Sequence, residues 1–193
     1  MAEKVRIGLL GRGTVGAAFA DLLALRADAV ESATGRRPEL AGTLTRSGGD
    51  FAEILAGSEV IVELIGGTDP ARDYVLEALR AGKPVVTANK QLLAQHGDEL
   101  FAAAREAEVQ LRFEAAVAGV IPIVRVIQES FGVTRIDKVF GIVNGTTNFI
   151  LSEMAASGAA YEEVLARAQE LGYAEADPTD DVTGADAAAK MAI

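Results

Sequence analysis

Near the N-terminus, an apolar run at 5–10 is followed at once by Gly11-Arg12-Gly13-Thr14-Val15-Gly16, and then by apolar residues at helical spacing. A strand that turns through G-x-G-x-x-G into a helix predicts a βαβ unit built to hold a diphosphate. The first glycine permits the tight turn, the second lets backbone approach the phosphates, and the third lets the helix pack closely on the strand. The helix start adds free N–H groups and the positive end of its dipole. Val15, Phe19, Leu22 and Leu23 are the expected core face of that helix.

The pattern repeats along the chain. Strands are predicted at 5–10, 40–45, 60–65, 84–88 and 109–114, with helical segments between most of them. The polar stretch 32–39 reads as an exposed loop. Phe51, Ile54 and Leu55 mark a short helix. Asp69-Pro70 reads as an N-cap followed by proline in the first turn of a helix that carries Val75 and Leu79 and stops near Gly82. The next helix turns Leu100 and Ala104 inward. Strands alternating with helices over short connections predict a Rossmann-like, doubly wound parallel sheet in an α/β fold.

Beyond Gly119 the pattern changes. A helix is predicted to start at Pro122 within 121–127, a strand at 139–143, a turn at Asn144-Gly145, and helices at 147–156 and 161–171. An Asp-rich loop precedes a last helix begun by Asp186. The apolar end Met191-Ala192-Ile193 reads as a second, α+β domain cut short.

Composition removes several chemistries. The 193 residues include no Cys and one His, which excludes thiolate metal sites and cysteine nucleophiles and disfavours imidazole-based catalysis. Lys plus Arg total 18 against 28 Asp plus Glu, a net charge of −10 that repels a nucleic-acid backbone. The longest apolar run, 115–124, contains Gly119 and Pro122 and falls short of a membrane span. The expectation is a cytoplasmic protein acting on a small molecule.

Cofactor choice is set near the end of the second strand, where a carboxylate favours NAD and an arginine accommodates the 2′-phosphate of NADP. Thr43-Leu44-Thr45-Arg46-Ser47 offers a guanidinium and hydroxyls but no acid. The reading leans to NADP through Arg46, with NAD open.

Further segments carry a resemblance. They are Glu63-Leu64-Ile65-Gly66-Gly67, Thr87-Ala88-Asn89-Lys90, Phe113-Glu114-Ala115-Ala116-Val117-Ala118-Gly119, and Gly141-Ile142-Val143-Asn144-Gly145-Thr146-Thr147-Asn148-Phe149-Ile150. The last is Gly172-Tyr173-Ala174-Glu175-Ala176-Asp177-Pro178-Thr179-Asp180-Asp181-Val182-Thr183-Gly184-Ala185-Asp186, continuing to Lys190. Together with the glycine turn, and in this order, they resemble homoserine dehydrogenase over essentially the whole chain.

The resemblance implies NAD(P)-dependent interconversion of L-homoserine and L-aspartate 4-semialdehyde, on the route to threonine, methionine and isoleucine. It implies an NAD(P)-binding Rossmann domain at 1–118, a partial substrate and dimerisation domain at 119–193, and a homodimeric full-length parent. Cofactor contacts would come from Gly11, Gly13, Thr14, Val15, Gly16, Arg46, Gly66 and Lys90, with Gly67, Ala88 and Asn89 lining the same region.

Lys190 matches the family's proton-transfer lysine, with Asp186 orienting it and Lys90 a second proton-transfer candidate. From spacing alone, Asp186 and Lys190 are an ordinary i,i+4 helix pair. Glu175 matches the carboxylate that holds the homoserine ammonium, with Asp181 in the same polar cluster and Lys90 also on the substrate. Read as residues, these acids are equally a solvated acidic loop. Glu114 and the main-chain carbonyls of Val117, Gly119 and Ile121 match a monovalent-cation site that family members carry, assigned to sodium. The reading from a different class is a dinucleotide-binding module without catalysis.

Overall fold

The computed structural model describes residues 3–193. It divides into two compact units, Met1–Arg125 and Val126–Ile193.

The first unit is built on five parallel strands: β1 (Glu3–Leu10), β2 (Arg36–Leu44), β3 (Val60–Glu63), β4 (Val85–Thr87) and β5 (Leu111–Arg112). Their order across the sheet is β2-β1-β3-β4-β5, so the α/β, Rossmann-like expectation holds. The connecting helices are α1 (Thr14–Thr34), α2 (Phe51–Gly57), α3 (Ala71–Arg80) and α4 (Lys90–Glu106). In β1 the charged first half is exposed while Ile7 to Leu10 is buried. Ile7, Leu9, Val62 and Ala20 form one core cluster, with Val5, Phe19, Leu23 and Leu64 packed against it. Helices α3 and α4 bury Val75, Leu76, Leu79, Leu92 and Leu100, and Arg72 grips Glu99 across them at 2.7 and 2.9 Å.

Several expected boundaries move. The stretch 32–39 is not a loop: α1 runs to Thr34, closes on Gly35, and β2 begins at Arg36. Its polar residues pair in register with the equally charged start of β1, through Arg36–Glu3 and Lys4–Glu39 ion pairs. On α1 the buried residues are Gly16, Ala20 and Ala27, while Val15 and Leu22 are exposed. Small side chains let the helix lie close to the sheet, with Phe19 and Leu23 packed beside them on the core and Val15 and Leu22 outside the contact. Helix α3 begins at Ala71 with Pro70, not Asp69, at the cap position. The fifth strand shortens to Leu111–Arg112, and Glu114–Ala116 forms a 3-10 turn.

A short helix, α5 (Ile123–Arg125), closes this unit, and a π turn, Val126–Ser130, opens the next. The second unit holds α6 (Gly145–Ser157), α7 (Tyr161–Glu170), α8 (Thr179–Val182) and α9 (Ala185–Ala192). Its core is Ile150, Val164, Ala168 and Ala174, and Phe149 stacks on Tyr173 with centroids 4.6 Å apart. The strand expected at 139–143 does not form. An extended segment becomes a strand only when another pairs with its N–H and C=O groups, and none of the described residues pairs with this one. Asn144-Gly145 is a helix start, with Asn144 capping α6.

Candidate active site

Strand β1 has β2 on one side and β3 on the other, so the connections leaving β1 and β2 run in opposite directions across the sheet. That reversal is where open α/β sheets bind ligands, at the carboxyl ends of their strands. The 11–16 turn leaves β1 there. Gly11 has φ +95°, and a Cβ on it would stand 2.6 Å from the Leu64 carbonyl oxygen. Its N–H donates to Leu44 O at 2.9 Å, joining the turn to the end of β2. A Cβ on Gly16 would stand 2.0 Å from Gly11 O.

Gly13 differs, because a Cβ there would meet nothing within 4 Å. Gly13 is the N-cap of α1 and supplies no side-chain cap, and Thr14 and Val15 are exposed behind it. The first N–H groups of a long helix therefore face an open, side-chain-free approach, a cradle that fits a diphosphate. At the end of β2 the chain closes a tight turn, with Thr45 N–H on Gly48 O at 2.8 Å, and Arg46 is exposed on it.

The ends of β3 and β4 are joined by a side chain to which the sequence reading gave no role. Glu63 is fully buried. Its carboxylate accepts from Ile65 N at 2.7 Å, Gly66 N at 3.3 Å, Thr87 Oγ1 at 2.6 Å and Asn89 Nδ2 at 3.4 Å. Asn89 Nδ2 also donates to Gly67 O at 2.6 Å, and its Oδ1 caps α4 through Leu92 N at 3.0 Å. Gly66, Gly67, Ala88 and Asn89 thus lie on two loops tied to one carboxylate, and half-buried Lys90 follows them as the first residue of α4. An acid set inside the apolar run 60–65, three residues before Gly66-Gly67, was the available signal.

Glu114 turns its two oxygens onto the N–H groups of Val124 at 3.2 Å and Arg125 at 3.0 Å, at the start of α5. Val117 is buried and Gly119 exposed, and the Ile121 carbonyl accepts from Ile123 N at 2.8 Å.

In the second unit, Lys190, Asp186 and Asp181 come together around Asn144. Lys190 Nζ donates to Asp186 Oδ2 at 2.5 Å and to Val143 O at 2.7 Å. Asn144 Nδ2 donates to Asp181 Oδ1 at 2.7 Å and to Asp186 Oδ2 at 2.8 Å. Its Oδ1 accepts from Thr147 N at 2.8 Å and Thr147 Oγ1 at 2.9 Å. Asp186 is buried and Lys190 mostly so, with 20% of its side chain exposed. The helix pair anticipated from spacing is present and is held by a third residue from a distant part of the chain. Glu175 lies outside this group, with its carboxylate exposed on the loop after α7 and its main-chain carbonyl on Gln169 Nε2 at 3.1 Å.

At the end of the same loop, Thr179, the first residue of α8, donates its hydroxyl and N–H to Asp177 at 2.5 and 3.2 Å. The hydroxyl first, then the N–H, holds the Asp177 carboxyl below the usual carboxylate range. Its folded pKa is below its unfolded one, so its small contribution to stability is present above the ordinary value and fades as pH falls through the lower folded value. A carboxyl-detected NMR titration is expected to give Asp177 a midpoint below about 3.9, the free Asp value. A midpoint at or above it contradicts the contact.

The switch-point sheet, the glycine turn and the open start of α1 define a dinucleotide-binding fold of the kind used by nicotinamide-dependent oxidoreductases. The family model described as homoserine dehydrogenase, NAD binding domain, matches residues 11–114, and the model described as homoserine dehydrogenase matches residues 122–193. The chain belongs to the homoserine dehydrogenase family.

Among its relatives, homoserine dehydrogenase of Pseudomonas aeruginosa is 46% identical over 99% of this chain and 47% of its own length. That of Corynebacterium glutamicum is 47% identical over 98% and 46%. The crystal structure of a homoserine dehydrogenase from Thiobacillus denitrificans superposes with a TM-score of 0.90 at 44% identity, over 98% of this chain and 47% of that one. A hyperthermophilic archaeal homoserine dehydrogenase in complex with NADPH superposes at 0.80 with 27% identity, over 98% and 68%. The chain spans about half the length of the curated relatives it matches.

Proposed function

We propose that the whole protein interconverts L-homoserine and L-aspartate 4-semialdehyde, a step toward threonine, methionine and isoleucine, with NADP as its preferred cofactor. The observation that carries this reading is Lys190, a largely buried ammonium held by Asp186 and the Val143 carbonyl in the part of the chain that matches the family. Residues 1–118 hold the cofactor, and 119–193 begin the substrate domain.

Gly11, Gly13, Thr14, Val15 and Gly16 take the diphosphate, Arg46 the 2′-phosphate, and Gly66 and Lys90 the nicotinamide end. When bound, the cofactor supplies or accepts the hydride. Reducing an aldehyde leaves negative charge on oxygen, which Lys190 stabilises and protonates, and in the reverse direction a neutral Lys190 removes the hydroxyl proton. Asp186 fixes the direction of that ammonium. Glu175, aided by Asp181, takes the substrate ammonium, an anionic partner for a cation, and Lys90 helps position the substrate.

A sodium ion belongs to this reading at Glu114 and the carbonyls of Val117, Gly119 and Ile121. Carboxylate and carbonyl oxygens suit a hard cation, and each oxygen that already accepts one N–H keeps a second lone pair. The reading also includes a cytoplasmic homodimer. No helix among the described residues is long and apolar enough to cross a membrane.

Absorbance at 340 nm with L-homoserine and NADP⁺ or NAD⁺ tests the activity in the whole protein. A homoserine-dependent rise is expected, and no rise with either cofactor overturns the proposal. Arg46→Ala should raise KM for NADP⁺ about tenfold, the loss of one charge-assisted contact, and leave KM for NAD⁺ unchanged. Equal effects on both would remove Arg46 from cofactor selection.

A further inference from the structure

We infer that Glu63 is a positioning residue for the nicotinamide half of the dinucleotide, a role that rests on the cofactor reading above. A carboxylate with no exposed surface is costly to bury unless hydrogen bonds satisfy it, and packing at this point asks only for another apolar residue like Val60, Ile61 and Val62. Glu63 instead receives four donors, and every donor lies on a loop or strand end at the carboxyl edge of the sheet. Ile65 and Gly66 follow β3, Thr87 ends β4, and Asn89 caps α4. Thr87 Oγ1 in turn accepts from Asn89 N at 3.0 Å, so the two loops are locked to each other as well as to the acid.

The order of the strands says which half of the ligand this lock serves. The end of β2 reads the adenosine ribose, and β2 lies on one side of β1 and its glycine turn. Strands β3 and β4 lie on the other side. A dinucleotide with its diphosphate on the 11–16 turn and its adenosine toward β2 therefore extends its second nucleotide over the loops that Glu63 holds. Glu63 shapes that surface from beneath it.

Calorimetric titration of the whole protein with NADPH, and with 2′-phospho-ADP, which lacks the nicotinamide ribose, tests the assignment. Glu63→Gln keeps the shape but replaces the anionic acceptor. It should weaken NADPH about tenfold, the scale of a lost charge-assisted hydrogen bond, and leave 2′-phospho-ADP within about twofold. Should that variant lose its cooperative melt, Thr87→Val, which cuts one link of the lock, should give the same split, and Thr87→Ser should restore wild-type binding. Equal weakening of both ligands, or of neither, overturns the role of Glu63. Wild-type protein that binds neither ligand overturns the cofactor reading itself, and this inference with it.

Discussion

Lys190→Ala is expected to lower kcat for homoserine oxidation by about 10²- to 10⁴-fold, the range supplied by a positioned general acid or base, with KM for the cofactor nearly unchanged. The ammonium has two acceptors, Asp186 Oδ2 and the carbonyl of Val143. In the proposed reaction, removing it deletes the proton carrier while α9 keeps its other contacts. Lys190→Arg is expected to fare almost as badly, because a guanidinium does not give up its proton in the relevant range. Steady-state kinetics against homoserine and cofactor separately would check this. A variant that retains most of its kcat, or whose loss falls on cofactor KM, would make the Asp186–Lys190 pair an ordinary helix contact.

The second large effect is expected at Gly13. Its φ of −70° and ψ of −161° suit any residue, and a Cβ there meets no protein atom within 4 Å. Gly13→Ala should therefore fold with unchanged or slightly raised thermal stability, since alanine restricts the unfolded chain. The added methyl nevertheless stands where backbone and diphosphate must approach, so cofactor affinity should fall by tenfold or more, on the order of 1.4 kcal/mol. Gly16→Ala makes the contrast: its Cβ would stand 2.0 Å from Gly11 O, so stability and binding should fall together. Melting curves and NADPH fluorescence titrations on both variants separate the two cases. An alanine at position 13 that binds NADPH like wild type would place the diphosphate elsewhere.

What was legible in the sequence was local. The glycine turn, the alternation of strand and helix, and the Asp186–Lys190 spacing all depend on neighbours within a few residues, and all are found in the fold. Periodicity found α1 and half of its packing face: Phe19 and Leu23 pack on the sheet core beside Gly16, Ala20 and Ala27, whereas Val15 and Leu22 stay exposed. The strand at 139–143 depends on a pairing partner, which residue composition does not encode. Glu63 was visible only as an acid inside an apolar run, and its donors come from up to 26 residues away. Asn144 showed as a turn residue, yet its amide reaches Asp181 and Asp186, 37 and 42 residues along the chain. Such connections follow from topology, so they appear only once the fold is known.

The most direct measurement follows the transferred hydrogen. The whole protein is incubated with L-aspartate 4-semialdehyde and NADPH deuterated at the transferring position of C4, and the product is weighed by mass spectrometry. Homoserine one mass unit heavier than the unlabelled product, formed by wild type and nearly absent with Lys190→Ala, is the predicted result. No homoserine, or homoserine without the label, would contradict the assignment of this chain to nicotinamide-dependent homoserine chemistry.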